Sequence, residues 1–325
     1  MTDVAELCFT QLLGQEKAKG LLLRSLASER VPHAYLFKGP AGVGKRLFAR
    51  GLAAVLNCQE NTGTGACTSC PSCRKMLSMN HPDFVVVRPE KGVLKIDQIR
   101  KISRELHYPP YESPRRVVVL EEAESMRREA ANSLLKTLEE PPENNLLILT
   151  ADSSRAILPT LTSRCQVVPF TPLSQKDTLT ILIRHGIEQR EALLLARLAE
   201  GSPGRALLFH RQDMVEVWNR VVAYLGTREE NPDLDVVTVL AFAEEMAELK
   251  EDLVPFLGLL RIWLRDQLLE APQEKELGRY SPQPMKSWSS GELFARLQAV
   301  DQAERQLARN CNRALVCEVL LFTLQ

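Results

Sequence analysis

The sequence contains no apolar run that approaches the roughly 20 residues of a membrane-spanning helix. Its first residues carry Asp3 and Glu6 where a secretory signal would carry basic side chains. Charge of one sign is not in excess, since 41 Lys and Arg balance 41 Asp and Glu. With 16 Gly and 19 Pro, the chain also lacks the composition of a low-complexity segment. We therefore expect a globular cytoplasmic protein that makes no membrane contact.

Signatures of several enzyme classes are missing as well. The sequence offers no catalytic triad, no paired glycosidase carboxylates and no dinucleotide fingerprint, and its histidines are dispersed at His33, His81, His107, His185 and His210. Zero net charge gives no global attraction to nucleic acid, so any DNA contact has to be local. The length of 325 residues predicts two or three domains.

Residues 1–170 alternate strand-like and helix-like segments, as expected for a parallel sheet with crossover helices. Short runs rich in Val, Leu and Ile predict five buried strands at 34–37, 84–87, 117–120, 146–150 and 166–170. Apolar residues recur at three and four positions between them, which predicts amphipathic helices within 42–58, 96–108 and 126–140. Pro141 and Pro142 should end the last of these helices.

After Phe170 the strand pattern ends. Ser174 is expected to N-cap a helix over 175–186, a second helix over 191–200 should end at GSPG, and a third should begin at Arg205. From Gln212 onward the sequence indicates helices, interrupted by polar linkers at 228–233 and 271–291. The predicted fold is α/β followed by all-α, with domains at 1–170, 171–210 and 211–325.

Four of the eight cysteines cluster in the pattern C-x8-C-x2-C-x2-C, at Cys58, Cys67, Cys70 and Cys73. Four tetrahedral thiolates form the usual structural zinc site, and a C-x2-C pair lets the chain curl around one ion. Because four thiolates leave no position for a catalytic water, the pattern predicts structural Zn²⁺ in an insertion over 58–73. Free thiols or a redox pair are the alternatives.

A phosphate-binding loop is predicted between the first strand and the following helix, where GPAGVGK matches G-x4-G-K. In such a loop, Gly39, Gly42 and Gly44 allow backbone N–H groups to wrap phosphates, and Lys45 reaches the β- and γ-phosphates.

Two positions of this site depart from the pattern of an active ATPase. Arg46 stands where Ser or Thr would offer a hydroxyl to Mg²⁺, and Glu121-Glu122 follows a strand where Asp-Glu is usual. Glutamate is one methylene longer and would misplace a metal ion that requires octahedral contacts. These changes predict weak nucleotide binding, or binding without hydrolysis.

A third candidate is Arg164, in the sequence LTSRC just before the fifth predicted strand. A lone loop arginine is usually a solvated charge. In an ATPase-like domain, an arginine supplied across a subunit interface stabilises the transferring phosphoryl group and can contribute a factor of about 10³–10⁵ in rate.

Together, HAYLFKGPAGVGK (33–45), the four cysteines, NSLLKTLEEPP (132–142), LTSRC (161–165) and GSPG (201–204) resemble the AAA+ clamp-loader subunits of bacterial DNA polymerase III. The resemblance covers about residues 8–210. Within that family the chain is similar to the delta-prime type. Motor subunits of the gamma/tau type would carry Ser or Thr at position 46, Asp at the acidic strand end and Arg at position 204.

The resemblance implies an AAA+ module, a small helical lid and a helical collar that joins gamma/tau and delta subunits in a five-membered ring. It implies a stationary ring member without ATPase activity of its own, which lends Arg164 to a neighbouring motor's ATP site. The ring loads the sliding clamp onto primer-template DNA. The four cysteines match the family's zinc ligands, and binding of ATP and Mg²⁺ at the departing loop stays open.

Two other functions remain as alternatives. The chain could be an active AAA+ ATPase, such as a gamma-type motor that tolerates Arg46. It could also be a zinc-stabilised scaffold outside replication, with a relic loop. A helicase is disfavoured because zero net charge offers no evident single-strand channel.

Overall fold

The computed structural model describes residues 7–60, 65–152, 157–211, 214–226, 232–268, 288–309 and 311–324. The chain divides into two compact units. One comprises Met1–Ala192 with Ala199–Gly204, and the other Leu193–Leu198 with Arg205–Gln325. The three-domain division at 170 and 210 stays a prediction.

The first unit is built on the five strands that the sequence predicts. They are β1 (Ala34–Lys38), β2 (Phe84–Val87), β3 (Arg116–Leu120), β4 (Asn145–Ala151) and β5 (Gln166–Pro169). All pair in parallel, in the order β2-β3-β4-β1-β5. Leu36 of β1 lies opposite Leu149 of β4 on one side and Val167 of β5 on the other. The predicted α/β class is confirmed.

The sheet has a core on each face, which explains why its strands are continuous apolar runs. Successive side chains of a strand point to opposite faces. Tyr35 and Phe37 therefore pack into one core with Val117, whereas Leu36 packs into the other with Val118. Polar side chains that bind ligands are consequently confined to the strand ends.

Fourteen α-helices are assigned among the described residues. They are α1 (Glu16–Ala27), α2 (Lys45–Asn57), α3 (Pro71–Leu77), α4 (Ile96–Glu105), α5 (Arg128–Glu139), α6 (Pro159–Thr162), α7 (Gln175–Arg184), α8 (Gln189–Leu198), α9 (Pro203–Arg211), α10 (Met214–Gly226), α11 (Pro232–Glu248), α12 (Leu253–Leu268), α13 (Ser290–Ala308) and α14 (Arg313–Leu324).

Several helix ends agree with the capping signals. The Ser174 side chain caps α7 by accepting the N–H of Asp177, and α5 ends just before Pro141 and Pro142. The sequence placed the next two helix starts too late, because α8 begins at Gln189 and α9 at Pro203. Proline fits the first position of a helix, where its missing N–H is not needed for a hydrogen bond. Pro203 of the GSPG segment is therefore the first residue of α9.

The second unit contains α10 to α14 in full. Its α13 begins inside the linker predicted at 271–291, because Ser289 and Glu292 form a capping box that starts a helix there. Residues 269–287 of that linker and 227–231 of the earlier one lie outside the described residues. In the described parts of the chain, none of the helices is long and apolar enough to cross a membrane.

Candidate functional site

The predicted phosphate loop connects the carboxyl end of β1 to the first residue of α2. Gly42 and Gly44 have φ values of 73° and 101°, a region that side chains disfavour. Gly39 is required for a different reason, since a Cβ atom there would lie 2.3 Å from the Phe170 carbonyl oxygen. The glycines thus shape the loop and allow it to pass close to the end of β5.

Lys45, the lysine of this loop, is buried and fully engaged by its own chain. Its Nζ donates to the carbonyl oxygens of Gly39 at 2.5 Å and Pro40 at 2.8 Å, and it lies 2.6 Å from Asp152 Oδ1. An ammonium group has three protons to donate. A bound phosphate would therefore have to displace one of these acceptors.

Arg46 and Glu121, the two departing positions, pair with each other. Arg46 Nε lies 3.3 Å from Glu121 Oε1, and Arg88 Nε lies 3.3 Å from Oε2 of the same carboxylate. In an active phosphate-loop enzyme, the equivalent positions contact the metal ion. The Arg46 guanidinium group thus places a positive charge beside Glu121, at the position where an active enzyme would bind a metal ion.

Glu122 completes an acidic cluster at the same edge of the sheet. Its backbone is left-handed, with φ at 54°. Partial burial raises the pKa of Glu122, and the nearby carboxylates of Glu124, Asp152 and Glu121 raise it further, whereas Lys45 lowers it. The raised pKa means that ionisation of Glu122 is opposed first by burial and then by the neighbouring like charges.

A second segment closes over the loop from residues 201–204. Ser202 Oγ donates to the Ala41 carbonyl at 2.8 Å, and the Gly204 N–H donates to the Gly42 carbonyl at 2.9 Å. A Cβ atom at Gly204 would lie 2.7 Å from Gly42 Cα. Because that neighbour is backbone, this approach needs glycine at position 204.

The four clustered cysteines form a candidate metal centre. The sulfur atoms of Cys58, Cys67, Cys70 and Cys73 all lie within 4.8 Å of one another, and those of Cys67 and Cys73 are 3.9 Å apart. Four thiolates at 2.3 Å from one ion would be about 3.8 Å apart. The donor set and its spacing thus fit a tetrahedral metal ion.

The backbone around this cluster is arranged for sulfur. The N–H groups of Cys67, Cys70 and Cys73 each point at the sulfur of the preceding cysteine, at 3.2–3.4 Å. Hydrogen bonds to Cys67 from Ser69 and from the Cys70 N–H lower the pKa of its thiol to about 6. At Cys67 these donors favour the thiolate form, which is the form that binds metal, whereas burial raises the pKa of the Cys58 and Cys73 thiols.

Arg164 lies between α6 and β5, at the surface. Its Nη2 is 2.8 Å from Glu139 Oε1, its Nη1 donates to the Thr160 carbonyl at 3.1 Å, and 37% of the side chain is exposed. The neighbouring Cys165 is buried, which raises the pKa of its thiol to about 11. The arginine is thus held in place but open to a partner.

The strand topology separates Arg164 from the phosphate loop of its own chain. Arg164 precedes β5, whereas the loop follows β1, and these two strands are parallel neighbours. The arginine and the loop therefore lie at opposite edges of the sheet, about 13 Å apart for a strand of four residues. This separation favours a role for Arg164 outside its own loop.

The structure brings Lys45, Arg46, Glu121 and Glu122 together at the carboxyl edge of the sheet. The four cysteines cluster separately, between the end of α2 and the start of α3. Sequence reasoning missed Asp152 and Ser202, which contact the loop from segments that are 107 and 161 residues distant. A signal existed for Asp152, because it follows the buried strand that pairs with β1. No local pattern marks Ser202.

The chain thus combines a parallel five-stranded sheet, a predicted phosphate loop after β1 and helices after β5. The fold is similar to a gamma subunit-related DNA polymerase III protein from Thermotoga maritima, with a TM-score of 0.51, 18% identity and coverage of 94% of this chain and 98% of that one. A family model described as DNA polymerase III, delta subunit, matches residues 14–174.

Two relatives are named DNA polymerase III subunit delta-prime. The protein from Bacillus subtilis is 34% identical over 64% of this chain and 63% of its own length. The protein from Yersinia pestis is 33% identical over 71% of this chain and 67% of its own length. The match thus spans about six-tenths of the Bacillus relative. The chain belongs to the family of DNA polymerase III delta-prime subunits.

The close approach at Gly204 generates a first prediction. Gly204→Ala should lower the free energy of unfolding by about 1–3 kcal/mol, because the new Cβ forces two backbone segments apart. Gly20→Ala is the matched control, since Gly20 lies in α1 with nothing within 4 Å of its Cβ position. It should stabilise by about 0.5–1 kcal/mol. Urea denaturation measures both, and equal shifts would contradict the contact.

Proposed function

We propose that the protein is a stationary, delta-prime-type subunit of a DNA polymerase III clamp loader. The observation that carries this proposal is the state of the phosphate loop, whose charged groups are paired within the chain. Lys45 pairs with Asp152, and Glu121 pairs with Arg46 and Arg88. A ring subunit with such a loop serves as a partner for neighbouring ATP sites instead of cycling through nucleotide states itself.

Arg164 is the residue that we propose to act on a neighbouring subunit. Its position at the edge of the sheet opposite the loop, and the exposure of its guanidinium group, support a contact in trans. Glu139 holds the side chain in one orientation, so less conformational entropy is lost when it meets a phosphate. In this role Arg164 stabilises charge on the transferring phosphoryl group of a motor subunit.

We assign residues 1–170 to the AAA+ module, 171–210 to the lid and 211–325 to an oligomerising collar. The last helix, α14, supports the collar assignment. Leu315, Val319 and Phe322 recur at helical spacing along α14 and are all exposed. An exposed apolar stripe of this kind marks a protein interface. The partners are gamma/tau and delta subunits and, through the complex, the sliding clamp and primer-template DNA in the cytoplasm.

The metal that we propose for the cysteine cluster is structural Zn²⁺. All four sulfur atoms are available as ligands, so the ion would cross-link the Cys58 end of α2 to the start of α3 without an open position for chemistry. The zinc supplies stability to the 58–73 insertion and takes no part in hydrolysis.

An active gamma-type motor is the second candidate function. The retained Lys45 favours it, since the lysine is the residue of this loop that reaches phosphates. The Arg46–Glu121 pair opposes it, because both groups occupy positions that should contact Mg²⁺.

Metal analysis tests the zinc assignment. The protein purified without chelator should contain one zinc per chain, and the Cys70→Ser Cys73→Ser double variant should contain none and lose order in the insertion. The binding free energy of such a site is of the order of 10 kcal/mol. Cys311→Ser is the control, since Cys311 is exposed and lies outside the cluster. A metal-free wild-type protein would contradict the assignment.

Nucleotide assays test the phosphate loop. We expect no hydrolysis by the isolated chain with Mg²⁺ and ATP. Asp152→Asn should tighten ATP binding about five-fold, because it removes an ion pair of about 1 kcal/mol that competes for Lys45. Arg46→Thr restores one magnesium contact but leaves Glu121 too long. Calorimetry measures the affinities, and steady turnover by the unmodified protein would favour the motor.

The decisive experiment uses the reconstituted clamp-loader complex. Arg164→Ala should fold and join the ring, yet reduce its ATPase and clamp-loading rates by at least about tenfold. Arg164→Lys should rescue poorly because it lacks the planar fork of a guanidinium group. Arg184→Ala, which removes an exposed arginine of α7, is the control. Wild-type rates with Arg164→Ala would show that Arg164 is an ordinary surface charge.

A further inference from the structure

The loop over residues 107–115, which connects α4 to β3, presents two aromatic side chains to solvent. Tyr108 is 70% exposed and Tyr111 is 81% exposed, with Pro109 and Pro110 between them. Exposed tyrosines on a fixed backbone are typical anchors of protein interfaces. The backbone of this loop is held by groups that lie beneath it.

Two buried charges fix the loop from below. Asp83, which is fully buried, accepts the N–H groups of Tyr111, Glu112 and Ser113 at 2.7, 2.9 and 3.0 Å. The Arg116 guanidinium, also buried, donates to the backbone carbonyls of Glu105, Tyr108 and Pro109 at 2.6–3.1 Å. Hydrogen bonds to charged groups are stronger than neutral ones, so these two residues anchor the backbone of the loop.

His81 connects the loop to the metal module. Its Nδ1 accepts the N–H of Asp83 at 3.1 Å, so the ring proton is assigned to Nε2. Nε2 lies 3.1 Å from both Ser72 Oγ and Ser113 Oγ. The imidazole therefore bridges Ser113 of the loop and Ser72 of α3, and it lies beside the Asp83 carboxylate that holds the loop amides.

Helix α3 is anchored by the cysteine cluster and by Met76, which packs into the core on one face of the sheet. It has seven residues, is N-capped by Cys70 and contains Cys73, with Ser72 between these two cysteines. Isolated helices shorter than about 12 residues are marginal in water, so α3 needs a tertiary anchor. A second link runs from α3 to the loop, since Lys75 Nζ lies 2.5 Å from Glu112 Oε2.

We propose that the metal module sets the conformation of the 107–115 loop, with His81 and Ser72 as the positioning residues that transmit it. The metal holds α3, which carries Ser72 and Lys75. Ser72 fixes Ser113 of the loop through His81, and Lys75 fixes Glu112 directly. The metal centre then has a role beyond its own insertion, which is to fix the backbone of the loop that carries Tyr108 and Tyr111. This inference rests on the proposed metal site.

Amide hydrogen exchange tests the proposal on the full-length protein. The amides of Tyr111, Glu112 and Ser113 should be protected in the metal-loaded protein although they lie in an exposed loop. Removal of the metal by a chelator should speed their exchange at least tenfold. Ser72→Ala should retain one zinc per chain and show fast exchange already, so that metal removal adds little further change.

Ser78→Ala is the matched control, because Ser78 ends the same helix but its hydroxyl contacts only the Lys75 carbonyl. It should behave as the wild type, with and without metal. The proposal is overturned if the three amides stay protected after metal removal, or if Ser72→Ala leaves them protected. Zinc content, measured on the same samples, separates failure of the coupling from failure of the metal assignment.

Discussion

The pairing of β1 with both β4 and β5 determines which groups surround the predicted phosphate loop and Lys45. It places the end of β1 beside Asp152 and Phe170, and the N–H of Gly39 donates to the Ala151 carbonyl at 3.0 Å. Because the three strands are parallel, their carboxyl ends meet at one edge, and Arg164 is left at the other. A change of register would separate Lys45 from its acceptors and the loop from the segment that closes it.

Charge compensation within the chain follows from that arrangement. A phosphate loop normally meets a polyanion and a divalent metal ion, and its lysine and acidic groups are neutralised by them. Here Asp152 takes the place of phosphate at Lys45, and Arg46 with Arg88 neutralises Glu121. The charged groups of the predicted phosphate loop are thus neutralised by residues of the same chain.

Much of this could be predicted from the sequence, and the rest could not for a physical reason. The five strands and the Ser174 cap follow from local apolar periodicity and turn chemistry, which short segments encode. The four cysteines are close in sequence, so their spacing was informative. The contacts of Gly42 with Gly204 and of His81 with Ser113 join distant segments through backbone or buried polar atoms, for which no periodicity exists.

In the loop over residues 107–115, different residues hold the backbone and form the exposed surface. Its backbone is held by Asp83 and Arg116, which are buried, whereas the side chains of Tyr108 and Tyr111 are largely exposed. The Tyr111 ring also lies over the Arg116 guanidinium group, at 5.3 Å. Exchange of Tyr108 should therefore affect the path of the chain less than exchange of Tyr111, which contacts Arg116. The buried pair of charges thus holds the backbone of this loop independently of which side chain stands at position 108.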